Sequence, residues 1–581
     1  MRKAVDTFRD GPIVRRRVWP RALRKAVFSV VVFAAIFSAF TKVLGKLSGI
    51  GTTAEFFRIE LPLLMTGYVA AYCLLRDTRA RSYIAALPLT VIYVAHDLHY
   101  WWFGNIFRLA DVAELPELVE VLTIGEIAFY SMLLVAPLLV FVASLHPARS
   151  LVAAMVAGFV WAVPIAEHQF MPAVVAFVER FGRVTEWSDQ RSARDTGRLA
   201  LMIYHEAQRM TATRRLASFH GDPQYSALIE GRHTSLASQG SRRNVHFIVL
   251  ESFLDPTLLG RVRYSMSPVH PAFAALFEGQ EGMALSSVFG GKSSQAEFEA
   301  LCGVPAFGYL GSTEFGVLVG RGVKCLPRLL RDLGYQTMAS NAFKPDFFNT
   351  LDAYRSLGFD KIYFPTEYAP NRETYLVAGD VADEEFLFDG ELLKQNLAHI
   401  RAHLHRGSGP LLNYVLGIYG HNPHRLNTKL RPEIIQVYGA GAAQTRLTSY
   451  VNQYYYRTRA VAEYVRDLRA LDPNSMIVIM SDHLPTLDVG PNGYRELGYT
   501  GGGDTVFHNR LYVLENGEPR RYLGLRHYDL PDVVVNYLTG SQHCRSNSCS
   551  VNGSTRSKES YFSAYLGLLA EELHDPALEM D

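Results

Sequence analysis

The sequence lacks an excess of charge of either sign, and it lacks repeats. Its 58 Lys and Arg residues are almost balanced by 56 Asp and Glu residues. Nucleic-acid-binding domains are strongly basic, so no nucleic-acid partner is expected. No internal repeat or low-complexity tract is found, and charged residues make up 20% of the chain against 49% hydrophobic residues. This composition excludes a disordered or fibrous protein, and the 581 residues predict more than one domain.

Long apolar stretches are present, and all of them begin before residue 180. Each is close to the roughly 20 apolar residues that a spanning helix needs. A cleavable signal peptide is not expected, because four more stretches follow the first. We therefore predict a basic tail over residues 1–25 and a transmembrane domain of five helices over residues 26–180. The stretches are Ala26–Leu44, Phe57–Leu75, Tyr83–Phe103, Leu122–Leu145 and Leu151–Phe177.

The charges of the tail and loops predict the orientation, since Lys and Arg mark the cytoplasmic side. The tail and the loop Arg76–Arg81 are basic, whereas the loop Asp111–Glu120 is acidic. With the tail inside, five crossings place the chain after about Glu179 outside. A lipid bilayer is therefore an expected partner.

Cysteine is scarce, and its positions agree with this topology. Cys73 lies in an apolar stretch, while the other four cysteines lie in the part predicted to be outside. An even number in an oxidising compartment suggests two disulfides, with four free thiols as the alternative. Cys544 and Cys549 flank a short polar loop and form the more obvious pair, which leaves Cys302 with Cys325.

Residues 181–243 are predicted to connect the two parts. Leu199–Ser218 mixes apolar residues with arginines, which indicates an amphipathic helix at the membrane surface or a solvated connector helix. The polar stretch His233–Arg243 is predicted to be a linker.

Residues 244–581 are predicted to form one α/β domain, because short apolar runs alternate with helical patterns. This alternation favours a mostly parallel sheet flanked by helices. The predicted strands are Val245–Leu250, Leu411–Ile418, Met476–Met480 and Leu511–Leu514, and the predicted helices are Ala382–His405 and Thr445–Leu471.

Polar residues follow three of these strands, at the edge where ligands bind in parallel sheets. Glu251 follows the first, Asp482 and His483 follow the third, and His421 with His424 follows the second. Unpaired buried charge is costly, so these carboxylates are not expected to be core residues. Oxygen and imidazole ligands suit one divalent ion, Mn²⁺, Zn²⁺ or Mg²⁺. Singly, Asp482 could be a helix cap and His483 a surface histidine.

The stretch Gly290–Ser294 (GGKSS) supplies two hydroxyls after paired glycines. A serine hydroxyl becomes a nucleophile when a metal or base lowers its pKa. The alternative is a glycine turn with a serine cap before the helical pattern Ala296–Leu301. The spacing of a phosphate-binding P-loop is absent.

Taken in order, these pieces resemble a known family. They are Asn244–Phe253 (NVHFIVLESF), Gly291–Ser294 with Glu297-Phe298, His421, and Ser481-Asp482-His483. The set resembles the lipoteichoic acid synthase branch of the alkaline phosphatase and sulfatase superfamily. That branch includes phosphoglycerol transferases of periplasmic glucans, and phosphoethanolamine transferases are near relatives. The likeness covers the whole chain, because those enzymes also carry five membrane helices before an extracytoplasmic catalytic domain.

The resemblance implies roles for individual residues. Glu251, Asp482, His483 and Ser293 would bind the metal, and Ser293 would take the place of the family's nucleophilic Thr. Because Ser294 is adjacent, the register stays open by one residue. His421 would hold the phosphoryl group or protonate the leaving alcohol. The implied substrate-binding residues are Lys344, His421, His424 and His508.

The resemblance also implies an activity and a location. The enzyme would move a phospho-alcohol, phosphoglycerol or phosphoethanolamine, from a phospholipid donor to a glycan or glycolipid acceptor through a phosphoserine-type intermediate. It would lie in a bacterial inner membrane, with its catalytic domain periplasmic or extracellular.

The chain departs from the family where lipoteichoic acid synthases have an Asp, a Trp and an Arg that hold glycerol phosphate. Phe343, Phe348 and Thr350 stand there, and Lys344 is the candidate for the missing positive charge. The headgroup therefore stays open.

Two other function classes compete with the transferase. One is a phosphatase, phosphodiesterase or sulfatase of the same fold, although the Pro and Arg of the sulfatase motif are absent after Ser293. The other is a non-enzymatic membrane protein with a retired catalytic domain, which loss of a metal ligand would mark. None of the implied ligands is lost.

Overall fold

The computed structural model describes residues 21–103, 106–109, 112, 124–153, 164–184, 189–217, 223–304, 306, 323–347, 349–501 and 506–546. Helices make up the first part of the chain, and an α/β domain follows. The helices before the α/β domain are α1 (Arg21–Ser48), α2 (Glu60–Leu74), α3 (Arg81–Phe103), α4 (Ile124–Ala143, with a wide turn at Ser131–Val135), α5 (Pro164–Phe181), α6 (Asp189–Thr196), α7 (Arg198–Ala217) and α8 (Pro223–Gln239).

Within the described residues, two helices are long and apolar enough to cross a membrane, Val27–Ser48 and Ile124–Ala143. The helix Glu60–Leu74 is apolar but shorter. The predicted stretch Leu151–Phe177 falls partly on residues 154–163, which lie outside the described residues. The five crossings and their orientation stay predictions.

The contacts between helix ends fall into two groups, one at each end of the helices. The end of α2 meets the segment after α4, where Leu75 bridges Leu145. At the opposite end, Ser48 of α1 and Arg198 of α7 both bind Asp97 of α3. Two such groups of contacts are expected when successive helices run side by side in opposite directions.

The connector differs from a solvated helix or a polar linker. One face of α7 is buried, and Leu201 and Tyr204 pack with Val178 of α5. Residues 233–239, predicted as linker, belong to α8, because Leu236 is buried in the core of the following domain. Arg232 of this helix is also buried and pairs with Asp532 at 2.6 Å.

The α/β domain contains a nine-stranded sheet among the described residues, in the order β11-β3-β9-β8-β1-β6-β4-β5, with β10 paired to β9. The central strands β8, β1, β6, β4 and β5 are parallel, and β9 is antiparallel to its neighbours. The expected mostly parallel sheet is confirmed. The strands are β1 (Val245–Leu250), β2 (Arg263–Tyr264), β3 (Gly282–Leu285), β4 (Gln336–Asn341), β5 (Lys361–Tyr363), β6 (Leu411–Gly417), β7 (Val437–Tyr438), β8 (Met476–Ser481), β9 (His508–Glu515), β10 (Glu518–Arg520) and β11 (Leu525–Arg526).

Helices cover both faces of this sheet and bury two apolar cores. The predicted helix Ala382–His405 begins only at Asp389, because residues 382–386 form turns and bends. The helices of this domain are α9 (Pro271–Phe277), α10 (Ser293–Cys302), α11 (Leu326–Asp332), α12 (Thr350–Ser356), α13 (Asp389–Arg406), α14 (Gln444–Leu471), α15 (Gly490–Glu496), α16 (Leu530–Leu538) and α17 (His543–Ser546).

The cysteines follow the expected pattern where the structure describes them. Cys302 and Cys325 form a disulfide. Cys544 is disulfide-bonded, and Cys549, its expected partner, lies outside the described residues. Cys73 is free.

Candidate metal centre and cleft

Three adjacent parallel strands, β8, β1 and β6, end at the same edge of the sheet. Leu250 at the end of β1 is in register with Ser481 of β8 and with Gly417 of β6. All three strands are fully buried. The residues that follow them therefore meet where the apolar strands stop, as the sequence predicts.

Glu251, Asp482 and His483 form one buried cluster at this edge. Their potential ligand atoms all lie within 4.8 Å of one another. His483 Nε2 is 3.3 Å from Glu251 Oε1 and 3.4 Å from Asp482 Oδ2. The strand ends thus bring together three of the predicted ligands.

Hydrogen bonds from the backbone and from a buried arginine hold this cluster. The backbone N–H groups of Ser252 and His483 each donate to Asp482 Oδ1 at 2.7 Å. The Ser252 hydroxyl donates to Glu251 Oε1 at 2.9 Å. Arg457 Nη2 donates to the Glu251 carbonyl oxygen at 2.8 Å. The side chains are therefore oriented before any ligand binds.

The electrostatics of the cluster fit a divalent cation. Burial, followed by the charge of Glu251, raises the pKa of Asp482 to about 8. Burial opposes the charged form of His483, but the Asp482 and Glu251 carboxylates raise its pKa above the ordinary value. Asp482 Oδ2 is buried and has no hydrogen-bond partner among the described residues. A cation would satisfy that oxygen and offset the clustered negative charge, and the oxygen and imidazole donors suit Mn²⁺, Zn²⁺ or Mg²⁺.

Ser293 joins this cluster at the start of α10. Its hydroxyl donates to Glu251 Oε2 at 2.9 Å and lies 3.4 Å from His483 Nε2. The alternative of a serine cap is not found, because the residue before the helix is Lys292, in the left-handed region at φ 63° and without a side-chain cap bond. Ser293 is therefore the first helical residue, and its hydroxyl faces the cluster.

The turn before α10 requires glycine at one position. Gly290 has φ 69°, and a Cβ there would lie 2.5 Å from Thr486 Cγ2. This close approach brings the turn against the segment that follows His483. Ser294, by contrast, is fully buried, its hydroxyl has no hydrogen-bond partner among the described residues, and it is absent from the described lining of the cleft.

A cleft of about 690 Å³ opens above the cluster. Three phenylalanines form part of its wall, and Phe386 lies 5.3 Å from the ring of His421, between ring centroids. The His421 Nδ1 atom is 2.8 Å from the Asn422 carbonyl oxygen. The described lining comprises Arg191, Glu251, Ser252, Gly290, Gly291, Lys292, Ser293, Phe343, Phe347, Glu385, Phe386, Ile418, His421, Asn422, His424, His483, Pro485 and Thr486.

The predicted substrate-binding residues divide into two groups. His421 and His424 line the cleft, and burial, followed by the positive charge of Arg446, lowers the pKa of His424 to about 3. Lys344 and His508 are not part of the described lining. Lys344 is exposed, with its Nζ 5.6 Å from the Phe343 ring centroid, and His508 begins β9.

The three residues that stand where lipoteichoic acid synthases hold glycerol phosphate also lie in different places. Phe343 lines the cleft. Thr350 is buried, and its hydroxyl bonds to the Phe347 carbonyl oxygen. Phe348 lies outside the described residues.

Sequence reasoning missed Arg191, Glu385 and Arg457. Arg191 and Glu385 line the cleft, and Arg457 donates a hydrogen bond to the Glu251 carbonyl oxygen. None of them follows a predicted strand or stands in a recognisable motif, so no sequence signal separates them from other surface or helix charges.

Comparison with known proteins finds a matching family model and a related sequence. Residues 243–511 match the family model described as Sulfatase. A provisionally named cyclic beta-1,2-glucan modification protein of Rhizobium meliloti (strain 1021) is 27% identical over 262 residues, 45% of this chain and 38% of the relative. The chain thus spans about two fifths of the length of that relative.

Two solved structures are also similar. The lipoteichoic acid synthase LtaP from Listeria monocytogenes is 18% identical, with 52% of this chain and 72% of that chain covered and a TM-score of 0.42. The Streptococcus pyogenes phosphoglycerol transferase GacH, in complex with sn-glycerol-1-phosphate, is 16% identical, with 62% and 93% covered and a TM-score of 0.43.

Proposed function

We propose that this chain is a metal-dependent transferase of phospho-alcohol headgroups. Its residues 243–511 belong to the sulfatase superfamily, as the sequence predicted. The donor is a phospholipid, and the acceptor is a hydroxyl of an envelope glycan or glycolipid. The observation that carries this proposal is the Ser293 hydroxyl, which contacts a buried acidic cluster at the base of a cleft. The relative named for glucan modification supports a glycan acceptor.

The chemistry is two displacements at phosphorus. The Ser293 hydroxyl loses its proton and Oγ forms a bond to phosphorus, while the bond from phosphorus to the diacylglycerol oxygen breaks. The diacylglycerol oxygen takes up one proton, so this step releases no net proton. The acceptor hydroxyl then attacks the phosphoserine, and its own proton leaves as the Ser293 hydroxyl is restored. A divalent cation held by Glu251, Asp482, His483 and Ser293 would favour the serine alkoxide and offset charge on the phosphoryl oxygens.

His421 is the candidate for moving these protons. It lines the same cleft as Ser293 and Glu251. When Nδ1–H donates to the Asn422 carbonyl oxygen, Nε2 is the nitrogen that can accept or give a proton. His421 therefore serves both displacements, first as acid and then as base.

The test is release of labelled headgroup from phospholipid vesicles by the purified full-length protein, with and without glucan oligosaccharide. Headgroup appearing on the oligosaccharide supports a transferase, whereas release to water alone supports a hydrolase. Ser293→Ala should abolish both. His421→Ala should slow transfer about 10²–10⁴-fold, the range for a positioned proton donor. Full transfer by Ser293→Ala would contradict the mechanism.

A further inference from the structure

The cleft above the metal centre includes a residue from outside the α/β domain. Arg191 belongs to α6, which lies in the chain between α5 and the connector helix α7. It is exposed and lines the same cleft as Ser293. The other lysine or arginine in the described lining is Lys292, which precedes the nucleophile candidate.

The helix that carries Arg191 is fixed to the helical part of the chain that precedes it. The Thr53 N–H donates to the Arg194 carbonyl oxygen at 3.2 Å, and Gln190 bonds to the Tyr100 hydroxyl of α3. Ala193 is fully buried beside Ile50. Arg191 is thus held by the helices around it and is not carried on a loose linker.

The next residues lock this arrangement. Arg198 makes two bonds to Asp97, at 2.6 and 2.9 Å, and both side chains are buried. Glu60 accepts bonds from the N–H groups of Leu199 and Ala200 at 2.9 and 2.8 Å. Gly197, at φ 111°, permits this docking, because a Cβ there would lie 2.3 Å from Glu60 Cδ.

We propose that Arg191 binds the phosphate of the donor lipid and orients it toward Ser293; this rests on the proposed function. A guanidinium offers planar paired donors that match phosphate oxygens. Ile50 after α1, Tyr100 near the end of α3 and Val178 near the end of α5 pack with Ala193 of α6. With the membrane crossings that the sequence predicts, Arg191 would therefore stand where a headgroup leaves the bilayer and enters the cleft. A neutral glucan offers no matching charge, so the donor is the substrate that this residue selects.

The kinetic test uses full-length protein and vesicles of labelled phospholipid. Arg191→Ala should raise the KM for donor about tenfold with kcat nearly unchanged, and Arg191→Lys should restore part of the loss. The effect should shrink in 1 M salt, where the Debye length falls to about 3 Å. Arg183→Ala is the matched control, because Arg183 is an exposed cation outside the described lining of the cleft.

A binding test is independent of turnover. Calorimetry with sn-glycerol 1-phosphate and with phosphoethanolamine should show a Kd about tenfold higher for Arg191→Ala than for wild type or Arg183→Ala. Unchanged Kd and KM in Arg191→Ala would overturn the inference, as would a loss confined to kcat or to metal content. Wild-type protein that binds these ligands through Arg191 but transfers no headgroup would instead overturn the proposed function.

Discussion

Replacement of Arg457 by Met tests how the buried residues around it support the candidate metal centre. Arg457 and Asp389 are both fully buried, and their side chains meet at 2.6 Å. Removing the arginine leaves the Asp389 charge unpaired, which costs about 3–5 kcal/mol in such settings. The same arginine bonds the Glu251 carbonyl oxygen, and loss of a support of this kind typically lowers metal affinity about 10–100-fold.

The two effects can be separated with a second substitution. In Arg457→Met/Asp389→Asn no charge is left unpaired, so most of the stability should return while metal affinity stays low. The assay is the melting midpoint of the metal-free full-length protein, expected to fall by about 5–10 °C in the single variant, together with a metal titration. Equal midpoints for the single and double variants would show that the unpaired Asp389 charge is not the cause of the lost stability. Wild-type metal affinity in both variants would show that Arg457 does not support the metal ligands.

Three further predictions follow from the site. Ser294→Ala should keep headgroup transfer, because this buried hydroxyl contacts neither the cluster nor the cleft; loss of activity equal to that of Ser293→Ala in the vesicle assay would show a register error of one residue. Asp482→Ala should purify with less metal than wild type by elemental analysis, and equal metal content would remove it from the ligand set. Burial lowers the folded pKa of His424 to about 3, below its ordinary 6.5, so His424 contributes stability that is complete above pH 6.5 and is lost as pH falls toward 3. In His424→Gln the melting midpoint should therefore depend less on pH across that window. A pH profile equal to that of wild type would count against this.

Much of the fold was predictable because the relevant signals are local. Apolar runs gave β1 its exact bounds and β6 and β8 within one residue, and the residues directly after β1 and β8 do meet. The helical pattern was predicted over Ala296–Leu301, but the helix begins at Ser293, after the left-handed Lys292, which sequence pattern does not reveal.

The rest of the site depends on contacts between distant parts of the chain. Lys344 was chosen for its place beside Phe343, but its side chain is exposed and outside the described lining. Arg191 reaches the cleft only because α6 docks on the ends of other helices, and Arg457 reaches Glu251 across 206 residues of sequence. Charge and spacing alone do not rank such residues, since every exposed or helical arginine looks similar in sequence.

The most direct measurement is mass spectrometry of the protein after brief reaction with labelled phospholipid, acid quench and proteolysis. The central claim is that Ser293 carries the headgroup phosphate between donor and acceptor. A phospho-alcohol adduct is expected on Ser293, and it should disappear when glucan oligosaccharide is added before the quench. An adduct on Ser294, or continued transfer with no adduct on the peptide that contains Ser293, would contradict it.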